Sequence, residues 1–210
     1  LVGGVGGEVG VRCLDRGIGT VLGTNGSVSG RGARYAGGFL EAANVDLKSM
    51  RERTYRRVGR ARRAPGLRTI ETLAAAGVWI EVTTLVVPRM NDGEDELREI
   101  ARFLAGISPD LPWHISAFHP TYRMTDRGRT PTAVLRRAHE IGRDEGLHHV
   151  YVGNVWGDRG ESTYCPGCGH RLIHRYGYSL LDVDLDGDRC PRCGATLAGV
   201  GIADSRGQVT

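Results

Sequence analysis

A chain of 210 residues, 40% of them hydrophobic, is long enough to bury one medium domain and a small one. No apolar run approaches the length of a bilayer span, which excludes a transmembrane helix within the sequence. The formal charge of +4 is modest and comes mainly from residues 51–68, where eight arginines stand with one glutamate. That cluster reads as an arginine-rich solvated helix and loop; a nucleic-acid surface would interleave stacking aromatics, and only Tyr55 is present.

In chain order, residues 1–17 carry Gly3, Gly4, Gly6, Gly7 and Gly10 without an apolar period. They are expected to be a disordered or damaged start, with Cys13 an incidental thiol. A weak strand over 18–22 leads into the turn Thr24-Asn25-Gly26. Residues 30–40 form a poor helix because of Gly30, Gly32, Gly37 and Gly38. A strand over 43–48 follows. Pro65 opens a helix with Leu67, Ile70, Leu73 and Ala74 on one face, and Gly77 closes it. Residues 78–87, nearly all β-branched or apolar, read as a buried parallel strand.

Asn91 or Asp92 is expected to cap the next helix, whose first turn holds Glu94, Asp95 and Glu96 and whose stripe is Leu97, Ile100, Ala101 and Leu104. A strand over 113–118 comes next. Pro131 then starts a helix facing inward with Val134, Leu135, Ala138 and Ile141 and ending at Gly146, and 148–152 is the last strand of the series. Strand and helix alternate four times, which is the pattern of an α/β fold with a parallel sheet, either a partial barrel or an open doubly wound sheet. No GxGxxG follows a strand and no GxxxxGK[ST] occurs, so neither a dinucleotide fold nor a P-loop is supported.

Near the C-terminus stand two matched knuckles, Cys165-Pro166-Gly167-Cys168-Gly169 and Cys190-Pro191-Arg192-Cys193-Gly194. Four thiolates at this spacing suit the tetrahedral preference of Zn²⁺ and predict a zinc ribbon. Two disulfides fit paired CxxC motifs poorly, and a redox dithiol needs one CxxC on a thioredoxin-like scaffold. Thiolate ligands without a disulfide-like pattern point to a reducing cytoplasm.

In parallel α/β folds the site forms at the C-terminal ends of the strands. Those ends read Thr24-Asn25-Gly26, then Asp46-Leu47-Lys48, then residues 88–92, then His119-Pro120, then Asn154. Period-two alternation puts Asn44, Asp46 and Lys48 on one face and Val45 and Leu47 on the other. Asp46 beside Lys48 is either a structural ion pair or a pair engaged with a ligand. Of the 28 basic residues only Lys48 is a lysine, a compact charge that a forked guanidinium does not replace. His119 and His114 fall on opposite faces, so one of them at most looks into the mouth.

These residues carry a resemblance. The runs Ala42-Ala43-Asn44-Val45-Asp46-Leu47-Lys48, Trp79-Ile80-Glu81-Val82-Thr83-Thr84-Leu85-Val86-Val87-Pro88 and Trp113-His114-Ile115-Ser116-Ala117-Phe118-His119-Pro120 resemble a radical S-adenosylmethionine (SAM) enzyme. With Tyr151-Val152-Gly153-Asn154-Val155 and Ser162-Thr163-Tyr164-Cys165, the chain is similar to the radical SAM member of the AmmeMemoRadiSam system, related to pyruvate formate-lyase activating enzymes.

The resemblance implies a partial (β/α) barrel of the radical SAM type over 18–157, a zinc ribbon over 158–200 and a tail over 201–210. It also implies that SAM lies across the strand ends, with Thr24, Asn25 and Gly26 near its ribose and methionine. Asp46 and Lys48 would face its amino-acid group, with His119 close by. The family's partners would be SAM, an electron donor and an unknown substrate, a protein of the same system being one candidate.

One departure is large. The CxxxCxxC loop that holds the family's [4Fe–4S] cluster is absent, and Cys13 cannot replace it alone. Gly6-Gly7-Glu8 is similar to the family's glycine-rich SAM motif, but Glu8 lies too close to Thr24 for a full crossover. With Leu1 as its first residue, the chain is expected to be the C-terminal part of the enzyme, inactive alone. The competing class is a non-enzymatic zinc-ribbon module binding nucleic acid or protein. Against nucleic acid, Asp182, Asp184, Asp186 and Asp188 in the ribbon would repel phosphate.

Overall fold

A computed structural model describes residues 4–59 and 62–202. Residues 1–3 of the expected irregular start, Arg60 of the arginine cluster and residues 203–210 of the tail lie outside the described residues. The chain divides between Thr84 and Leu85 into two compact units. Within each unit the neighbouring strands of the α/β part run parallel.

The first unit contains α1 (Val5–Leu14), β1 (Val21–Thr24), α2 (Gly30–Ala36), β2 (Ala42–Asp46), α3 (Glu52–Gly59) and α4 (Arg63–Ala75), and β3 (Trp79–Val86) begins in it. Residues 1–17 were expected to be irregular, yet α1 is a helix of 10 residues. Its glycines explain the difference. Gly7 and Gly10 are buried, and a Cβ on Gly10 would collide with the Phe39 ring. The small residues make a flat face against which an aromatic ring packs, and an apolar-period reading does not register such a face.

The strand expected at 18–22 begins three residues later, at Val21, and the helix expected over 30–40 stops at Ala36. Ser29 starts that helix by accepting the Gly32 amide, the interaction favoured at an N-cap. Helix α4 begins two residues before Pro65, and its first amide, that of Arg63, donates to the Glu52 carboxylate at 3.0 Å. That contact holds the Glu52 carboxyl below its usual range.

Burial in this unit alternates along the strands. Ala43, Val45, Leu47, Ile80 and Val82 are buried, as are Ala33 and Ala36 of α2 and Ile70 and Leu73 of α4. Asn44, Asp46, Trp79, Glu81 and Thr83 alternate with them and remain half-exposed. Strand β3 is therefore covered on one face, where a near-continuous apolar run had suggested burial. The signal was present in Trp79, Glu81 and Thr83 at period two.

The second unit continues with α5 (Glu94–Ile107), β4 (Trp113–Ala117), α6 (Thr132–Asp144) and β5 (Val150–Gly153). Neither Asn91 nor Asp92 caps α5; that position is Gly93. Asn91 is buried and closes the preceding turn, its Oδ1 accepting the Val87 amide at 2.7 Å and its Nδ2 donating to the Leu85 carbonyl at 2.9 Å. Pro131 stands at the N-cap of α6. Glu145 joins α5 to the end of α6 through Arg98 and Arg102, at 2.6 and 2.7 Å, and these guanidiniums hold its carboxyl below the ordinary range. The alternation recurs: Trp113, Ile115, Ala117, Val150 and Val152 are buried, while His114, Ser116, Tyr151 and Gly153 occupy the more open face.

After a 3₁₀ turn (Arg159–Glu161), an antiparallel sheet of β6 (Thr163–Tyr164), β7 (Arg171–Tyr176) and β8 (Ser179–Val183) carries the cysteine knuckles. Its small core is Cys165, Leu172, Cys190 and Leu197, with Ile173, Leu185, Ala195 and Ile202 packed against it. Among the described residues no helix is long and apolar enough to cross a membrane.

Candidate functional site

The turn at the end of β1 is tightly organised. The Gly26 amide donates to the Thr24 hydroxyl at 3.2 Å, and the Ser27 amide donates to Asn25 Oδ1 at 3.0 Å. The buried Thr69 hydroxyl of α4 donates to the Gly26 carbonyl at 2.8 Å. Gly26 has a φ of 76°, and a Cβ there would meet the Gly66 Cα at 2.9 Å. Backbone conformation and close approach both require glycine.

Strand β2 is next to β1 and ends at Asp46. Lys48 Nζ lies 2.8 Å from Asp46 Oδ2, with 43% and 38% of the two side chains exposed. The sequence left open whether Asp46 and Lys48 pair with each other. They do, on the face that alternation assigned to them, and both remain within reach of solvent.

Three groups fix the backbone carrying Lys48. The Leu47 amide donates to the Thr83 carbonyl at 3.0 Å, the Thr84 hydroxyl donates to the Leu47 carbonyl at 2.8 Å, and the Lys48 amide donates to the Tyr55 hydroxyl at 3.2 Å. Beside them on the open face, the Thr83 hydroxyl donates to Asn44 Oδ1 at 3.1 Å and Trp79 Nε1 donates to Glu81 at 3.4 Å. Tyr55, Glu81 and Thr83 were not among the expected site residues. Tyr55 could not have been recognised, because its role depends on α3 folding back onto the strand exit.

His119 belongs to the second unit and is exposed beyond the end of β4. At that exit Asn154, with a φ of 61°, donates from Nδ2 to the Ala117 carbonyl at 3.0 Å. His114, on the opposite parity from His119, stacks on Tyr151 on the open face, with ring centroids 5.1 Å apart. The structure thus brings Thr24, Asn25, Gly26, Asp46 and Lys48 together on neighbouring strand ends of one unit, and places His119 on the other unit.

The four ribbon cysteines form a second site. The Sγ atoms of Cys165, Cys168, Cys190 and Cys193 lie within 4.8 Å of one another, and together they could hold one metal ion. Cys165 to Cys193 is 3.4 Å and Cys168 to Cys190 is 3.6 Å. These separations are far longer than a disulfide and near the roughly 3.8 Å expected between thiolates bound at about 2.3 Å to a tetrahedral ion.

The two knuckles have the same construction. The Gly169 amide donates to the Cys165 carbonyl and the Gly194 amide to the Cys190 carbonyl, each at 2.9 Å. Gly169 and Gly194 have φ values of 70° and 74°, as turns of this kind require. The amides of His170, Arg192 and Ala195 donate to the sulfurs of Cys168, Cys190 and Cys193. Cys13 stands apart on α1.

Comparison with known proteins places this arrangement in context. No protein-family model matches the chain. An uncharacterized protein of Methanocaldococcus jannaschii is 39% identical over 161 residues, which are 75% of this chain and 48% of that protein. The chain therefore spans about half the length of this curated relative.

Among solved structures, a domain of pyruvate-formate lyase-activating enzyme from Bacteroides vulgatus superposes with a TM-score of 0.59 at 17% identity, covering 70% of this chain and 89% of that one. SuiB of Streptococcus suis, solved also bound to S-adenosylmethionine, gives 0.56 at 11% identity, covering 70% of this chain and 36% of that one. These neighbours are radical SAM enzymes, and the likeness is one of fold.

Proposed function

We propose that the chain is the C-terminal part of a radical SAM enzyme of the AmmeMemoRadiSam type, with the strands of a partial (β/α) barrel and a zinc ribbon behind them. The observation that carries this reading is the Asp46–Lys48 pair at the exit of β2, set on a fold shared with a SAM-bound enzyme. SAM ends in an amino acid, an ammonium beside a carboxylate. Lys48 would take the carboxylate and Asp46 the ammonium, exchanging one ion pair for two at a half-exposed site, where desolvation costs little. The Thr24-Asn25-Gly26 turn on the neighbouring strand supplies backbone groups beside them, and His119 is assigned to the same ligand by resemblance alone.

The donor set does not fit the family's [4Fe–4S] cluster. Outside the ribbon the sequence has only Cys13, and such a cluster takes several thiolates. The cleavage of SAM would therefore belong to a longer enzyme that carries the cluster ligands. The ribbon fits Zn²⁺, since four thiolates close the coordination sphere and leave no open position for chemistry. A reducing cytoplasm suits such thiolates.

The experiment is SAM binding to the longer enzyme, measured by titration calorimetry. Lys48→Ala should weaken binding at least tenfold with an unchanged melting temperature, and Lys48→Arg should also fail, because a planar guanidinium replaces a compact ammonium. Unchanged affinity in both variants would reduce Asp46–Lys48 to a structural ion pair.

A further inference from the structure

Arg175 of β7 is half-buried on the ribbon, yet its side chain turns toward the open face of β5. Its guanidinium carbon lies 5.8 Å from the centroid of the Tyr151 ring, and Nη1 donates to the Thr163 hydroxyl at 2.6 Å. Tyr151 is fixed in turn, its hydroxyl 2.9 Å from the same Thr163 oxygen and its ring stacked on His114 at an interplanar angle of 22°. Thr163, only 3% exposed, is a buried anchor. The strand register shifts between His174 and Arg175, a bulge of the kind that re-aims a side chain.

What sets Arg175 apart is its charge balance. Of the half-buried arginines of the same unit, Arg98, Arg127 and Arg137 each pair with a carboxylate. Among the described residues Arg175 pairs with none. Glu161, two residues before Thr163, spends its oxygens on the Gly157 and Gly177 amides, at 2.9 and 3.3 Å. A half-buried guanidinium, held by a ring and one hydroxyl, keeps most of its five donors for an anion.

We propose that Arg175, with Tyr151 and His114, forms a subsite for an anionic group, a carboxylate or a phosphate, carried by the substrate. The ribbon then has a role beyond its metal: it delivers a cation to the open face of the sheet. The inference rests on the proposed function only in calling the bearer of the anion a substrate. Binding of the anion itself is read without SAM.

The test follows the His114 ring resonances of the metal-loaded chain by NMR during separate titrations with inorganic phosphate and with acetate. A saturable shift is expected with at least one of them. Arg175→Met should weaken it at least tenfold, and Arg175→Lys should retain part of it, with melting temperatures confirming that both variants fold. Should Arg175→Met fail to fold, Arg175→Lys and Thr163→Val carry the comparison, each expected to weaken the shift. Saturation by phosphate alone identifies a phosphoryl group, by acetate alone a carboxylate, and by both a general anion site. No saturable shift with either anion, or equal affinity in wild type and the folded variants, overturns the proposal. Neither result bears on Lys48, so this inference and the SAM assignment fail separately.

Discussion

The hydroxyl of Tyr55 accepts the backbone amide of Lys48 at 3.2 Å, and the Ser49 amide turns to the same oxygen. A buried side chain on the arginine-rich helix α3 thereby holds the strand exit that carries the chain's single lysine. Burial also pushes the Tyr55 phenol above its usual pKa, so it stays neutral and keeps its lone pairs for those amides.

Tyr55→Phe should leave both amides short of their acceptor while preserving the ring in its buried place. The expected cost is about 1–3 kcal/mol, the penalty for a buried donor without a partner. Denaturant titration measures it. An unchanged midpoint would show that water reaches the amides once the hydroxyl is gone.

Gly26→Ala should destabilise the β1 turn by about 1–3 kcal/mol, since the residue has a positive φ and its Cβ would press on the Gly66 backbone. Thermal melting of the variant provides the measurement. A loss of only a few tenths of a kcal/mol would mean that the two glycine segments separate easily.

Metal content is the third expectation: one Zn²⁺ per chain, bound by Cys165, Cys168, Cys190 and Cys193. Cys165→Ser should release the ion and unfold the ribbon, because four buried side chains with four partly buried ones make too little core to hold it. Elemental analysis with hydrogen exchange over residues 163–202 follows both effects. Stoichiometric iron and sulfide without zinc would refute the assignment.

The fourth concerns acid. His149 is 4% exposed, its Nε2 has no hydrogen-bond partner among the described residues, and burial lowers its pKa to about 4, outweighing the pull of Asp110. His148 and Arg143 lower it further. The unfolded chain takes up this proton near pH 6.5 and the folded chain only near 4. Stability should therefore fall as pH drops through that window, by on the order of 3 kcal/mol, and level off below it. His149→Phe should flatten this part of the stability–pH curve. A slope equal to that of the wild type would assign the acid sensitivity to another group.

Some features are local and were determined by the sequence alone. The two CxxC-Gly knuckles need only four or five consecutive residues and a glycine at positive φ, and the structure builds both alike. The alternation that put Asn44, Asp46 and Lys48 on one face is a property of any strand, and β2 follows it. Other features depend on residues far apart in the chain, and only the tertiary structure decided them. Gly10 became part of a packed helix because Phe39 lies across it, and Asn91 left the helix cap because Leu85 and Val87 offered backbone groups to a buried amide. Lys48 acquired its support from Tyr55, and Arg175 reached Tyr151 because a register shift on the ribbon turns it there. A short motif carries its own geometry; a contact between distant residues exists only once the chain has folded, when burial of each polar group demands a partner.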